Sequence, residues 1–181
     1  MKLVFKILIF ICYLSFGQVQ AQSINTQQNL QLAQQFYEKG EYDKAIDIYQ
    51  KLEGNSETFF EIYQEFRTSL KQLKDTKSEE ALINKAYLIS GKDPIYLFEL
   101  ALFYEASKSE KDAEKQLGKA LKALKNNSYQ IYKITQLLMD ANHPEWAKEV
   151  YLKGKEVFDD PNAFDLELAY LEGVMGDFRS M

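Results

Sequence analysis

The chain is poor in the residues that do chemistry. Its 181 residues include one cysteine, one histidine, one tryptophan and three prolines. The cysteine, Cys12, lies in an apolar run near the N-terminus. Beyond it there is no thiol for a disulfide, a redox pair, a nucleophile or a zinc ligand. The histidine, His143, stands in Asn142-His143-Pro144, a sequence that reads as a helix entry. With no second histidine and no later cysteine, Cys–His catalysis and histidine-rich metal sites are excluded. No glycine-rich nucleotide motif is present, and Ser90-Gly91-Lys92 lacks the upstream glycine of a phosphate loop. The net charge of −5 argues against a nucleic-acid partner, which calls for a basic footprint. Carboxylate pairs such as Glu79-Glu80 and Asp159-Asp160 read as solvated helix faces or caps. No catalytic residue, metal site or cofactor is expected, and the protein is not expected to be an enzyme.

What is present starts at the N-terminus. Lys2 and Lys6 precede an apolar run, Ile7 to Phe16, and then Val19-Gln20-Ala21. A basic segment, an apolar segment and a small-residue cleavage site make a secretory signal peptide over residues 1–21. Ile7–Phe16 is too short to span a bilayer, which needs about 20 apolar residues, and no other stretch is long enough. Cys12 follows Ile9-Phe10-Ile11, without the small residue that lipid attachment requires. The expected product is residues 22–181, without a membrane span, exported to the periplasm or cell envelope.

Residues 22–181 read as helix throughout. Apolar residues recur at helical spacing, as in Leu97, Leu100, Ala101 and Tyr104. All three prolines, Pro94, Pro144 and Pro161, fall where helices would begin. Gly40 and Gly176 fall where left-handed helix ends are wanted. Helices are expected at about 24–39, 42–53, 56–74, 78–91, 94–107, 110–125, 128–141, 144–158 and 161–175. A period runs through them. Ala45, Ala81, Ala113 and Ala147 are 36, 32 and 34 residues apart, and each has a small residue 12 positions upstream: Ala33, Ser69, Ala101 and Thr135. Ala169 and Met181 continue the series. A fixed spacing within units and slack between them describes helix hairpins joined by variable loops. The small residues let two axes approach, and bulkier ones such as Phe36, Tyr49 and Leu138 fill the flanks.

The unit Leu32-Ala33…Phe36…Gly40-Glu41-Tyr42…Ala45…Tyr49…Leu52 resembles the tetratricopeptide repeat family, as do Leu100-Ala101…Tyr104…Ala113…Leu117 and Ile134-Thr135…Leu138…Ala147…Tyr151. The second unit is degenerate, with Gln72 and Lys85 where apolar residues are usual, and no unit carries the tryptophan often found early in the family's first helix. The resemblance implies an all-α, right-handed superhelical solenoid of antiparallel hairpins, with about four and a half repeats. The chain would stop inside its fifth repeat, as the N-terminal piece of a longer exported bacterial protein with further repeats.

In that family the first helix of each repeat lines a concave groove. Carrying those positions over gives Tyr37 from the first repeat, Tyr63, Phe66 and Leu70 from the second, and Phe98 and Leu102 from the third. The fourth adds Tyr129, Tyr132 and Met139, with Gln136 beside them, and the fifth adds Tyr170, with Leu166. Such a lining is apolar and aromatic, as interface cores are. It lacks the lysines and asparagines of grooves that clamp a terminal carboxylate. The resemblance therefore implies a non-catalytic scaffold of the cell envelope that binds a protein or peptide. The alternatives are a structural spacer whose groove is filled by its own later repeats and, with less support, a glycan-binding envelope protein.

Overall fold

A computed structural model describes residues 25–179, with side chains to residue 176. The signal peptide expected at 1–21, Cys12, and the helix position expected at Met181 lie outside the described residues. Within them the chain is all-α: α1 (25–38), α2 (Tyr42–Leu52), α3 (Ser56–Gln72), α4 (Thr76–Ile89), α5 (Ile95–Ala106), α6 (Glu110–Lys122), α7 (Ser128–Asp140), α8 (Pro144–Phe158) and α9 (Asp165–Arg179). Among the described residues no helix is long and apolar enough to cross a membrane. The helices form two compact units, divided between Leu82 and Ile83 inside α4.

The starts and ends of these helices are local chemistry. The side chains of Asn55 and Asn127 cap α3 and α7, accepting from the N–H groups of Glu57 (2.9 Å) and Gln130 (3.1 Å). The first helix of each hairpin, α1, α3, α5 and α7, ends in the same way, as α4 and α8 also do at Gly91 and Asp159. Gly40, Lys74, Lys108 and Asn142 take the left-handed conformation, with φ of 75°, 57°, 59° and 62°. The next N–H reaches back over the last turn in each case: Glu41 to Phe36, Asp75 to Leu70, Ser109 to Tyr104 and His143 to Leu138, at 2.8–3.0 Å. This paired arrangement satisfies carbonyls that a helix end leaves open. The four turns stand 34 residues apart without slack.

That spacing corrects the register read from the alanines. The first full hydrogen bond of the following helix is donated by Ala45, Glu79, Ala113 and Ala147, again 34 apart. Glu79, not Ala81, is the counterpart of Ala45. Its partner 12 residues upstream is Arg67, not Ser69. Where the other hairpins put Ala33 with Ala45, Ala101 with Ala113 and Thr135 with Ala147, the second puts an ion pair. Arg67 Nε donates to Glu79 Oε1 at 3.1 Å, and both side chains are largely buried. The second unit is therefore not degenerate in its apolar positions. Leu70 and Ile83 stand where Gln72 and Lys85 were expected, and both are fully buried.

In the first unit α2 packs on α3. Phe59, Ile62, Tyr63, Phe66 and Leu70 of α3 are buried, and Tyr49 of α2 lies against Phe66 with ring centroids 5.5 Å apart. The Tyr49 hydroxyl donates to Glu65 at 2.7 Å; burial first, and that bond second, push its ionisation well above the ordinary tyrosine value. In the second unit α5 pairs with α6 and α7 with α8, and the hairpins stack with α5 on α7 and α6 on α8. Their core includes Phe98, Leu100, Ile131, Ile134, Leu138 and Val150. α5 is apolar on nearly every face and correspondingly buried.

The last helix departs most from expectation. Pro161 does not open it. Asp160 instead forms a turn, its carboxylate accepting from Asn162 N–H at 2.9 Å, and α9 begins at Asp165 after Phe164, whose φ is +61°. α9 also continues through Gly176, which has no left-handed turn. Glycine permits such a turn without requiring one. α9 packs along α8, burying Leu168 and Leu171, while Ala169 is exposed.

Candidate functional site

Phe164 packs against Tyr132 and Tyr151, two residues that line a concavity of the second unit. Gly154, inside α8, has no side chain. A Cβ built there would lie 2.7 Å from Phe164 Cε2, so only glycine lets the ring lie flat against the helix. The same ring packs on Tyr151 (5.3 Å), Phe158 (5.6 Å) and Tyr132 (5.7 Å). The aromatic cluster fixes the start of α9 against α8, and a pocket of about 380 Å³ opens between α7 and α9. α7 contributes Tyr132, Thr135, Gln136 and Met139 to it, α8 contributes Tyr151, and α9 contributes Leu166, Glu167, Tyr170 and Leu171. The spacing follows from helix geometry: 132, 136 and 139 on one helix, and 166 and 170 on the other, each share a face.

The pocket is closed at its floor and open at its mouth. Thr135, Tyr151 and Leu171 are buried, whereas Leu166 is 84% and Tyr170 68% exposed. The polar groups of the floor are already engaged. Thr135 Oγ1 lies 3.0 Å from both the Tyr132 carbonyl and the Tyr151 hydroxyl. Burial raises the Tyr151 ionisation, with the Thr135 bond opposing it. The Tyr132 hydroxyl spans the pocket and donates to Glu167 Oε1 at 2.7 Å. That bond is the largest influence holding the Tyr132 phenol protonated, its pKa pushed up to about 12. Gln136 donates to Asp140 at 2.7 Å. The lining thus presents aromatic faces, a thioether, two leucines and one carboxylate. Such groups hold and orient a ligand.

The ten groove residues expected from sequence go to different places. Tyr132, Met139 and Tyr170 meet in the pocket, together with Gln136 and Leu166. Tyr129, 75% exposed, stands outside its lining. Leu102 is half-buried against the second unit's core, and Phe98 is fully buried within it. Tyr37 is half-buried, edge-on to Tyr42 at 5.9 Å. Tyr63, Phe66 and Leu70 are core residues of the first unit, not groove residues. The two-residue slip explains them, because two residues turn a helix by about 200°. Tyr63 and Phe66 correspond to the buried Leu97 and Leu100, and to Ile131 and Ile134. The positions of α3 equivalent to the pocket residues of α7 are Gln64, Arg67, Thr68 and Lys71, all polar, with Gln64 and Lys71 exposed and Arg67 and Thr68 partly buried.

Four pocket residues were not anticipated as groove lining: Thr135, Tyr151, Glu167 and Leu171. Thr135 and Tyr151 were expected at the helix contact, which is also the pocket floor. Glu167 follows Leu166 in an ordinary acidic first turn, and nothing in the sequence marks it. No family model and no curated protein matches this chain.

Proposed function

We propose that the chain is a scaffold of the tetratricopeptide type, an α-solenoid exported to the bacterial cell envelope, and that it binds a protein or peptide without catalysing a reaction. Support for the family comes from the 34-residue spacing of the turns, the length of one such repeat. Support for export comes from the signal-like sequence of residues 1–21. The observation that carries the binding role is the pocket. It is lined by the inward face of one repeat's first helix, α7, and by that of the next, α9. Its volume is at the small end of ligand sites, about 300–1,000 Å³, which suits one or two side chains of a bound polypeptide. Leu166 and Tyr170 leave a large apolar area at its mouth. Exposed apolar patches of this kind mark interaction sites.

Selection from a random peptide library on the purified chain tests the proposal, with Tyr170→Asp as the control. Tyr170 is mostly exposed, so the substitution leaves the fold intact. Peptides enriched on the wild-type chain and lost on the variant are the expected result. No enrichment, or enrichment indifferent to Tyr170→Asp, would refute a peptide groove at this place.

A further inference from the structure

The pocket has a chemical sign. Among the described residues that line it, Glu167 is the only carboxylate, and no lysine, arginine or histidine takes part. One oxygen of that carboxylate accepts from Tyr132. Among the described residues the other, Oε2, accepts no hydrogen bond. The three lysines of α8 are engaged elsewhere: Lys148 with Glu172 at 2.9 Å, Lys153 with Glu156, and Lys155 with Asp165. The carboxylate is therefore held in position by a neutral phenol and not neutralised by a cation of its own.

The rest of the lining fits the same kind of guest. Tyr132, Tyr151 and Tyr170 line the pocket, and tyrosine rings attract a cation through the ring quadrupole. Met139, Leu166 and Leu171 supply apolar contact of the kind that the aliphatic stem of a long cationic side chain covers. An anionic guest would find no counter-charge, and the hydroxyls of Tyr132, Thr135 and Tyr151 are already in hydrogen bonds. A purely apolar guest would cover the second oxygen of Glu167 without giving it a partner, which is costly for a charge withdrawn from water.

We infer that the pocket between α7, α8 and α9 is a socket for a lysine or arginine side chain, presented by a partner polypeptide between apolar neighbours. The inference rests on the peptide-groove reading and adds the partner's chemistry to it. The cation lies over the tyrosine rings and donates to Glu167 Oε2, while the flanking apolar residues of the partner cover Leu166 at the mouth. Glu167 sets the selectivity, and the rings and Met139 supply contact that any side chain of similar length can use.

Three blocked pentapeptides test this, alanine-leucine-X-leucine-alanine with X as lysine, norleucine or glutamate. Each is titrated into the full chain and followed by the NMR signals of the Met139 methyl and the Tyr170 ring. The lysine peptide is expected to bind roughly tenfold or more tightly than the norleucine peptide, and to lose that margin at high salt. Glu167→Gln keeps the shape and still accepts from Tyr132. It should abolish the preference for lysine, weakening the lysine peptide and relieving the penalty on the norleucine peptide. Equal or tighter binding of norleucine at the same signals would overturn the cationic socket while leaving a peptide groove in place. Tighter binding of the glutamate peptide would show that the sign is wrong. If no peptide moves these signals, both the socket and the groove fail.

Discussion

Replacing Arg67 by methionine should destabilise the first unit far more than a loss of surface charge would. Arg67 and Glu79 occupy the close-contact positions that hold alanine or threonine in the other hairpins, and their side chains are 14% and 7% exposed. Their 3.1 Å contact replaces much of the hydration that both have lost. Removing Arg67 leaves Glu79 charged and largely desolvated, a change that costs about 3–5 kcal/mol in buried pairs. We expect the lower end, about 3 kcal/mol, for Arg67→Met, and a smaller loss for Glu79→Leu. Replacing both should restore most of the loss, to within about 1 kcal/mol of wild type, because the two apolar side chains fill a similar volume without a charge to desolvate. Hydrogen exchange of the α3 amides reads this unit separately. Arg67→Met should speed the slowest of them by about two orders of magnitude, and the double variant by less than tenfold. Single changes within about 0.5 kcal/mol, or a double variant that loses the sum of the two, would show that the pair is an ordinary surface contact.

Three further outcomes follow from the second unit. Gly154→Ala, which would ordinarily stabilise a helix by up to about 1 kcal/mol, should instead lower the melting temperature, since the added Cβ meets Phe164 at 2.7 Å in a ring cluster with little room to yield. Ala101→Trp, at a fully buried position of α5, should cost about 1–3 kcal/mol or more, against about 0.5 kcal/mol for Lys111→Trp on the exposed face of α6, as measured by urea unfolding. In an alkaline titration followed by phenolate absorbance, Tyr132 should ionise at about 12, and Glu167→Gln should bring it back toward 10. The raised value has a definite sign for stability. Between pH 10 and about 12 the unfolded tyrosine releases its proton while the folded one keeps it, so stability falls as pH rises through that interval.

Much of the helical order was legible because it is written in local signals. Gly40 turns the chain, Pro144 opens α8, and apolar residues recur at helical spacing. The register was legible only where small residues mark the contact. In the second hairpin Arg67 and Glu79 remove that mark, while Ser69 and Ala81, also 12 apart, imitate it two residues late. Lys74 and Lys108 make the same left-handed turn as Gly40, but without glycine they give no sign of it. The pocket was legible in part. Tyr132, Gln136, Met139, Leu166 and Tyr170 follow from the face of a helix. Glu167 and the wedge formed by Phe164 and Gly154 do not, because they depend on how α9 meets α8, a contact between segments with no periodic signature.

The most direct test is a crystal structure of the chain grown with the lysine pentapeptide at saturating concentration. The expected result is the lysine side chain between Tyr132 and Tyr170, with its ammonium within hydrogen-bonding distance of Glu167 Oε2. A peptide seated on another face, or a pocket left unfilled while the peptide is bound, would contradict the proposed site.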